Sequence, residues 1–279
     1  SNVNVETRVK VAGNLLRDYG FFNGSVTYEI IPQKDPKMEK ITYVIDMGNP
    51  YYLDSIAWLK YPSKADSLIQ TTRRKSVLKK GDNFSVLKLE EERQRISDLL
   101  RNNGYYYFRP DLTTFRADTL QKSGYVSLQV VPQNGLPVEA KKQYYIGKTS
   151  VYLTGYNGET PTDSLVFPSM TLHYHGKKPG IRPSALTRNC FYRRGELFSQ
   201  DRQTFTQEAI ARMNVFKFAE FRYLPKDTTS TCDTLNVMVN ATFDQPYDAE
   251  LELNMTTKST DQTGPGVAFN LTRKNFQRM

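Results

Sequence analysis

At 279 residues, 38% hydrophobic and 24% charged, the chain has the make-up of a globular protein with two or more domains of about 100–150 residues each. No apolar run approaches the roughly 20 residues that a membrane-spanning helix needs, and two cysteines without CxxC spacing, Cys190 and Cys232, do not make a zinc site. The net charge of +9 is spread among acids, which argues against a dedicated nucleic-acid surface, and the densest cluster, Arg73-Arg74-Lys75 with Lys79-Lys80, reads as a solvated helix face.

The chain enters helical pattern almost at once, and it is expected to be a piece of a longer protein. Val9, Ala12, Leu16 and Tyr19 step by three and four and predict a helix over residues 5–19. Gly20 follows, where a helix C-terminus favours a left-handed residue. Phe21-Phe22 then lead toward strands near 24–32 and 39–48. Next come a strand at 51–59, a helix at about 63–78, a Lys79-Lys80-Gly81-Asp82 turn and a second helix at about 85–103. Two strands follow, at about 105–116 and 124–132. A further round opens at Tyr144, with a second helix near 199–214 and strands near 217–224 and 234–243. It carries an insertion at 155–180, rich in Gly, Pro, Thr and Asp as a surface excursion is. Within it, Met170-Thr171-Leu172-His173-Tyr174-His175 alternates and predicts an extra strand. In the tail, Leu251, Leu253 and Met255 alternate with polar residues. After a turn expected at Gly264-Pro265-Gly266, Val267, Phe269 and Leu271 do the same. That is a hairpin with one apolar face, marginal in water unless it packs on something.

Two motifs recur in the same order. Leu16-Arg17-Asp18-Tyr19-Gly20-Phe21-Phe22 returns as Leu100-Arg101-Asn102-Asn103-Gly104-Tyr105-Tyr106. Tyr51-Tyr52-Leu53 and the alternation after it return from Tyr144-Tyr145-Ile146. The unit is therefore β-α-α-β-β. The first copy lacks its opening strand and helix, so the repeat array is expected to extend upstream.

Catalytic and ligand patterns are sparse. His173 and His175, two apart on a strand, share a face, but no third ligand cluster lies nearby in sequence. Glu90-Glu91-Glu92 is a charge run at a helix start, where acids complement the dipole. There is no GxSxG elbow, Walker A loop or dinucleotide-binding glycine pattern. Cys190 and Cys232 are open to either reading, a disulfide or two separate thiols. The chain reads as a non-enzyme with no cofactor and no metal.

The repeat order, the Gly-aromatic-aromatic helix exit and the closing hairpin together resemble the POTRA-domain region of BamA/TamA-family outer-membrane assembly factors. The tail from Tyr247-Asp248-Ala249-Glu250 through Gly264-Pro265-Gly266 to Arg273-Lys274-Asn275-Phe276 resembles the start of that family's barrel. The stretch from Ile181-Arg182-Pro183 to Phe216 is similar to the last POTRA domain of TamA-like (TamL) members. The resemblance implies an α+β fold of tandem POTRA domains, two helices on a small mixed sheet, plus a partial barrel hairpin. It divides the chain into part of a POTRA domain (1–49), a complete one (50–140), a last one with the insertion (141–246) and the first barrel strands (247–279). It implies a periplasmic arm at the bacterial outer membrane that binds unfolded barrel proteins or a periplasmic accessory protein by β-augmentation. Membrane contact would come through the rest of the barrel. Two alternatives stay open: a scaffold for one fixed partner, or the arm of a dedicated protein-secretion pore. The candidate polypeptide-binding edges are the strands after each second helix: Val26, Tyr28 and Ile30; Tyr107, Leu112 and Phe115; Phe218, Phe221 and Tyr223. The bare hairpin is expected to pair with a neighbouring chain or another sheet edge.

Overall fold

The computed structural model describes residues 4–33, 39–229, 231–245, 247–257 and 263–273. They form two compact units, Ser1–Arg101 with Tyr107–Lys141, and Asn102–Tyr106 with Lys142–Met279.

The first unit opens with α1 (Val5–Asp18), whose N-cap Asn4 side chain accepts from the Thr7 N–H at 3.0 Å. Gly20 ends it with φ 86°. β1 (Ser25–Pro32) and β2 (Glu39–Asp46) pair antiparallel, with Tyr28 opposite Tyr43. β3 (Tyr52–Trp58), α2 (Ser63–Thr71), α3 (Val86–Arg101), β4 (Thr113–Asp118) and β5 (Tyr125–Pro132) follow. Their sheet has the order β3-β5-β4, with β3 parallel and β4 antiparallel to the central β5. β5 is central because Val126, Leu128 and Val130 alternate and are all buried. Leu53 on β3, Ile69 on α2, and Ile96 and Leu100 on α3 close the core against it.

The second unit repeats this plan with an addition. Its elements are β6 (Tyr145–Thr154), β7 (Asp163–Val166), β8 (Thr171–Tyr174), α4 (Pro183–Arg188), α5 (Gln200–Arg212), β9 (Phe216–Pro225) and β10 (Thr234–Phe243). The sheet order is β7-β8-β6-β10-β9, with β6 parallel and β9 antiparallel to β10. β11 (Tyr247–Thr257) and β12 (Thr263–Arg273) form a separate two-stranded ladder.

Four local expectations change. The helix expected to Leu78 stops at Thr71, where the Thr71 and Thr72 hydroxyls donate back to the Leu68 carbonyl at 3.0 and 2.8 Å, and a short 3₁₀ turn follows. The strand expected from Tyr105 begins only at Thr113. Tyr105 and Phe108 are buried in a turn, and Pro110 opens a 3₁₀ turn. The insertion supplies two strands, β7 and β8, and not one. Gly264-Pro265-Gly266 is not a turn: these residues pair with Thr256, Met255 and Asn254 inside the β11–β12 ladder, whose register is set by Leu251↔Phe269 and Leu253↔Val267. The Lys274-Asn275-Phe276 stretch lies outside the described residues.

Candidate functional site

Backbone donors and acceptors at sheet edges are the groups that can bind another strand without reading its sequence. β1, β4 and β9 each lie at an edge of their ladder. On β1, Tyr28 and Ile30 are exposed and Val26 half-buried. Phe115 is half-buried on β4, while Leu112 is buried in the 3₁₀ turn before it and Tyr107 lies further back in the 105–112 turn. On β9, Phe218 is exposed, Phe221 half-buried and Tyr223 buried in the core. Tyr223 packs there against Phe198 and Tyr106, each with ring centroids 5.6 Å away.

The Gly-aromatic-aromatic motif has a role that sequence spacing did not reveal. The Gly20 carbonyl accepts from the Tyr51 N–H at 2.9 Å, and Phe22 packs on Tyr51 and Phe84 with centroids 4.9 and 5.1 Å apart. In the second unit the Gly104 carbonyl accepts from the Tyr144 N–H at 2.8 Å, and Tyr106 packs edge-on to Phe198 at 4.9 Å. Phe84 and Phe198 occupy matching places in Gly81-Asp82-Asn83-Phe84-Ser85 and Gly195-Glu196-Leu197-Phe198-Ser199. Both segments clip onto the first half of their strand. Gly81 N–H donates to the Leu53 carbonyl and Leu53 N–H to Asp82, at 2.7 and 2.8 Å. Gly195 and Ile146 repeat the pair with Glu196, at 2.8 and 2.8 Å. A residue legible only as a turn is thus a joint.

Glu92 is fully buried on α3. Its carboxylate accepts from the Val77 N–H at 3.0 Å and from Arg95 at 2.6 Å, tying the loop after α2 to α3. The Arg73 and Arg95 guanidinium groups stand 5.9 and 6.0 Å from the Trp58 ring.

The insertion covers a cleft of about 340 Å³ lined by Leu153, Tyr156, Tyr174, His175, Lys178 and Phe243, among others. Glu159 at its rim is held below the usual carboxylate range, first by its own N–H and then by Asn157. His173 stacks on Tyr152 with centroids 4.3 Å apart, and the His175 Nδ1 lies 3.1 Å from the Thr160 carbonyl. Cys190 and Cys232 are both free thiols, and burial pushes the Cys190 thiol up.

No protein-family model matches the chain, and no curated protein matches it either. Among solved structures it is similar to BamA from Haemophilus ducreyi lacking POTRA domains 1–3, with TM-score 0.51 and 14% identity over 81% of this chain and 35% of that one. It therefore spans much less than half of that protein's length. It also matches BamA POTRA3-5 from Haemophilus influenzae (TM-score 0.48, 12% identity, 87% of this chain and 81% of that one) and CdiB from Acinetobacter baumannii (0.34, 11%, 97% and 43%). The β-α-α-β-β repeat, with its last strand central and its first strand parallel to it, gives this chain the tandem POTRA fold of BamA/TamA-type proteins.

Proposed function

We propose that this chain is a periplasmic docking arm at a bacterial outer membrane, which binds client or partner polypeptides during assembly or insertion of outer-membrane proteins. The observation that carries the reading is a repeated one: β1, β4 and β9, each following the second helix of its repeat, leave one side of the strand without a partner strand among the described residues. Main-chain pairing at such an edge accepts many sequences, which suits a factor that handles unfolded barrel strands. In this reading residues 1–49 are the C-terminal part of a POTRA domain, 50–140 a complete one and 141–246 the last one with its insertion. Residues 247–279 then begin a barrel, because β11 and β12 expose Leu251, Leu253, Val267, Phe269 and Leu271 in alternation. The chemistry needed is binding and not catalysis.

Native-state hydrogen exchange with and without unfolded outer-membrane barrel peptides tests the reading. New protection along β1, β4 or β9 is the expected result. Unchanged exchange throughout would remove strand capture and favour a single fixed partner held by side chains.

A further inference from the structure

Two repeats of one chain treat the same sheet edge differently. In the second unit the outer side of β6 is filled. β8 runs parallel to it, with Ser150, Val151 and Tyr152 opposite Thr171, Leu172 and His173. Met170, Leu172 and Tyr174 are buried and face inward together. In the first unit the equivalent strand is β3. Each strand pairs parallel with the central strand of its sheet and bulges after its first residues. Each has its opening residues clipped by the following Gly-x-x-Phe segment. Counting along the buried alternation of the central strand, Ile56 opposite Leu128 corresponds to Thr149 opposite Val237, and Trp58 opposite Val130 to Val151 opposite Val239.

No described strand lies beyond β3. The Leu59 N–H donates to the Val130 carbonyl at 2.9 Å. Because strand residues alternate, the N–H and C=O groups of Ile56 and Trp58 face the open side.

Charge separates this edge from the others. Folded proteins protect open edges with charges, prolines or short length. β4 carries Arg116 and Asp118, β9 carries Lys217, Glu220 and Arg222, and β7 is four residues long and starts at Asp163. The open stretch of β3 reads Ser55-Ile56-Ala57-Trp58-Leu59, with no charge and no proline. Ile56 and Trp58 are half-buried, and the Trp58 ring is already flanked by Arg73 and Arg95.

We infer that the β3 edge at Ile56–Leu59 is a docking site for an extended polypeptide that runs parallel to β3 and carries aliphatic or aromatic residues at every second position. The occupant has the chemistry of β8, because β8 is the segment this fold places at the matching position. Alternate apolar side chains go under the sheet beside Trp58, and main-chain groups pair with Ile56 and Trp58. This edge differs from β1, β4 and β9, so it adds a fourth acceptor to the proposed arm. In the second unit the insertion has closed the equivalent site.

The test uses the whole chain and a synthetic peptide copying residues 168–176. Trp58 is the only tryptophan, so its fluorescence reports on this edge alone. A saturable change in that signal is expected, with exchange at the Ile56 and Trp58 amides slowed by roughly tenfold or more. A peptide with Asp at the place of Leu172 should do neither. Ile56→Pro removes an outward N–H that makes no ladder bond and should abolish the response with the circular dichroism unchanged. Ala57→Lys keeps every backbone donor and should weaken it by adding an edge charge. Unchanged exchange at Ile56 and Trp58 overturns the inference, as does binding that both variants leave intact. Slowing confined to β1, β4 or β9 also overturns it while supporting the proposed arm. Protection at β3 with no response to barrel peptides upholds it and removes the proposed arm's client role.

Discussion

Glu92 shows how one residue in a charge run can differ from its neighbours. Glu90-Glu91-Glu92 reads as a charge run at a helix start, yet the Glu92 carboxylate is fully buried between Arg95 and the Val77 N–H. Helix phase places Glu92 three residues after Leu89 and four before the buried Ile96, on the inward face, while Glu90 and Glu91 stay exposed; the loop that returns to meet it supplies the Val77 N–H. Glu92→Ala leaves Arg95, itself mostly buried, without its counter-charge. A loss of about 3 kcal/mol is expected in urea unfolding, and a loss below about 1 kcal/mol would mean that the loop ties down elsewhere. Tyr61 gives a pH signature. It donates to the Thr113 Oγ1 at 3.1 Å, and burial is the main cause that pushes its hydroxyl up to about 12. The unfolded tyrosine ionises near its ordinary value of about 10. Between those values the unfolded state holds fewer protons than the folded one, so stability present below about pH 10 is lost as pH rises toward 12. Tyr61→Phe should flatten that alkaline limb in a pH series of melting temperatures, at a cost of about 1 kcal/mol near neutrality for the lost hydrogen bond.

At the scale of elements, the helix exits carry the order of the fold. Their glycines and aromatics were legible in the sequence because left-handed residues and ring pairs are chemically distinctive. What they touch was not legible, since Tyr51 and Phe84, or Tyr144 and Phe198, come from segments that contact them only after folding. At Gly20 a Cβ would stand 2.7 Å from the Phe84 carbonyl oxygen, and at Gly104 2.8 Å from a Leu197 methyl, both at positive φ. The first clash is with backbone and the second with a side chain that can move. Gly20→Ala should therefore cost more than Gly104→Ala, with both above about 1 kcal/mol; equal, negligible losses in thermal melts would contradict the joint. Phe198→Ala removes a fully buried ring that touches Tyr106 and Tyr223 and should cost about 3–5 kcal/mol. The 105–112 segment departs from the expected strand for the converse reason: its aromatics look like strand residues, but Tyr105 and Phe108 are buried in a turn.

At the scale of the whole molecule, the apolar alternation of the tail is both the clearest sequence signal and the least satisfied part of the fold. β11 and β12 pair with each other, and Leu251, Leu253, Val267, Phe269 and Leu271 remain 61–72% exposed. The alternation was legible because a strand's two faces are written in its sequence; what covers the apolar face was not, because no other described segment supplies it. An isolated two-stranded ribbon with one greasy face is marginal in water and is a site for association. The chain on its own should therefore self-associate reversibly through this face. Burying one such side chain contributes about 1.5 kcal/mol or more, so replacing two of them, as in Leu253→Lys with Phe269→Lys, should weaken association by about 3 kcal/mol, or ~100-fold. Sedimentation velocity over a concentration series measures this directly. The double variant should sediment as a monomer where the parent chain does not, and detergent above its micelle concentration should bring the parent to the same state by covering the same five side chains. A parent chain that is monomeric at every concentration would mean that the hairpin face finds cover within its own molecule.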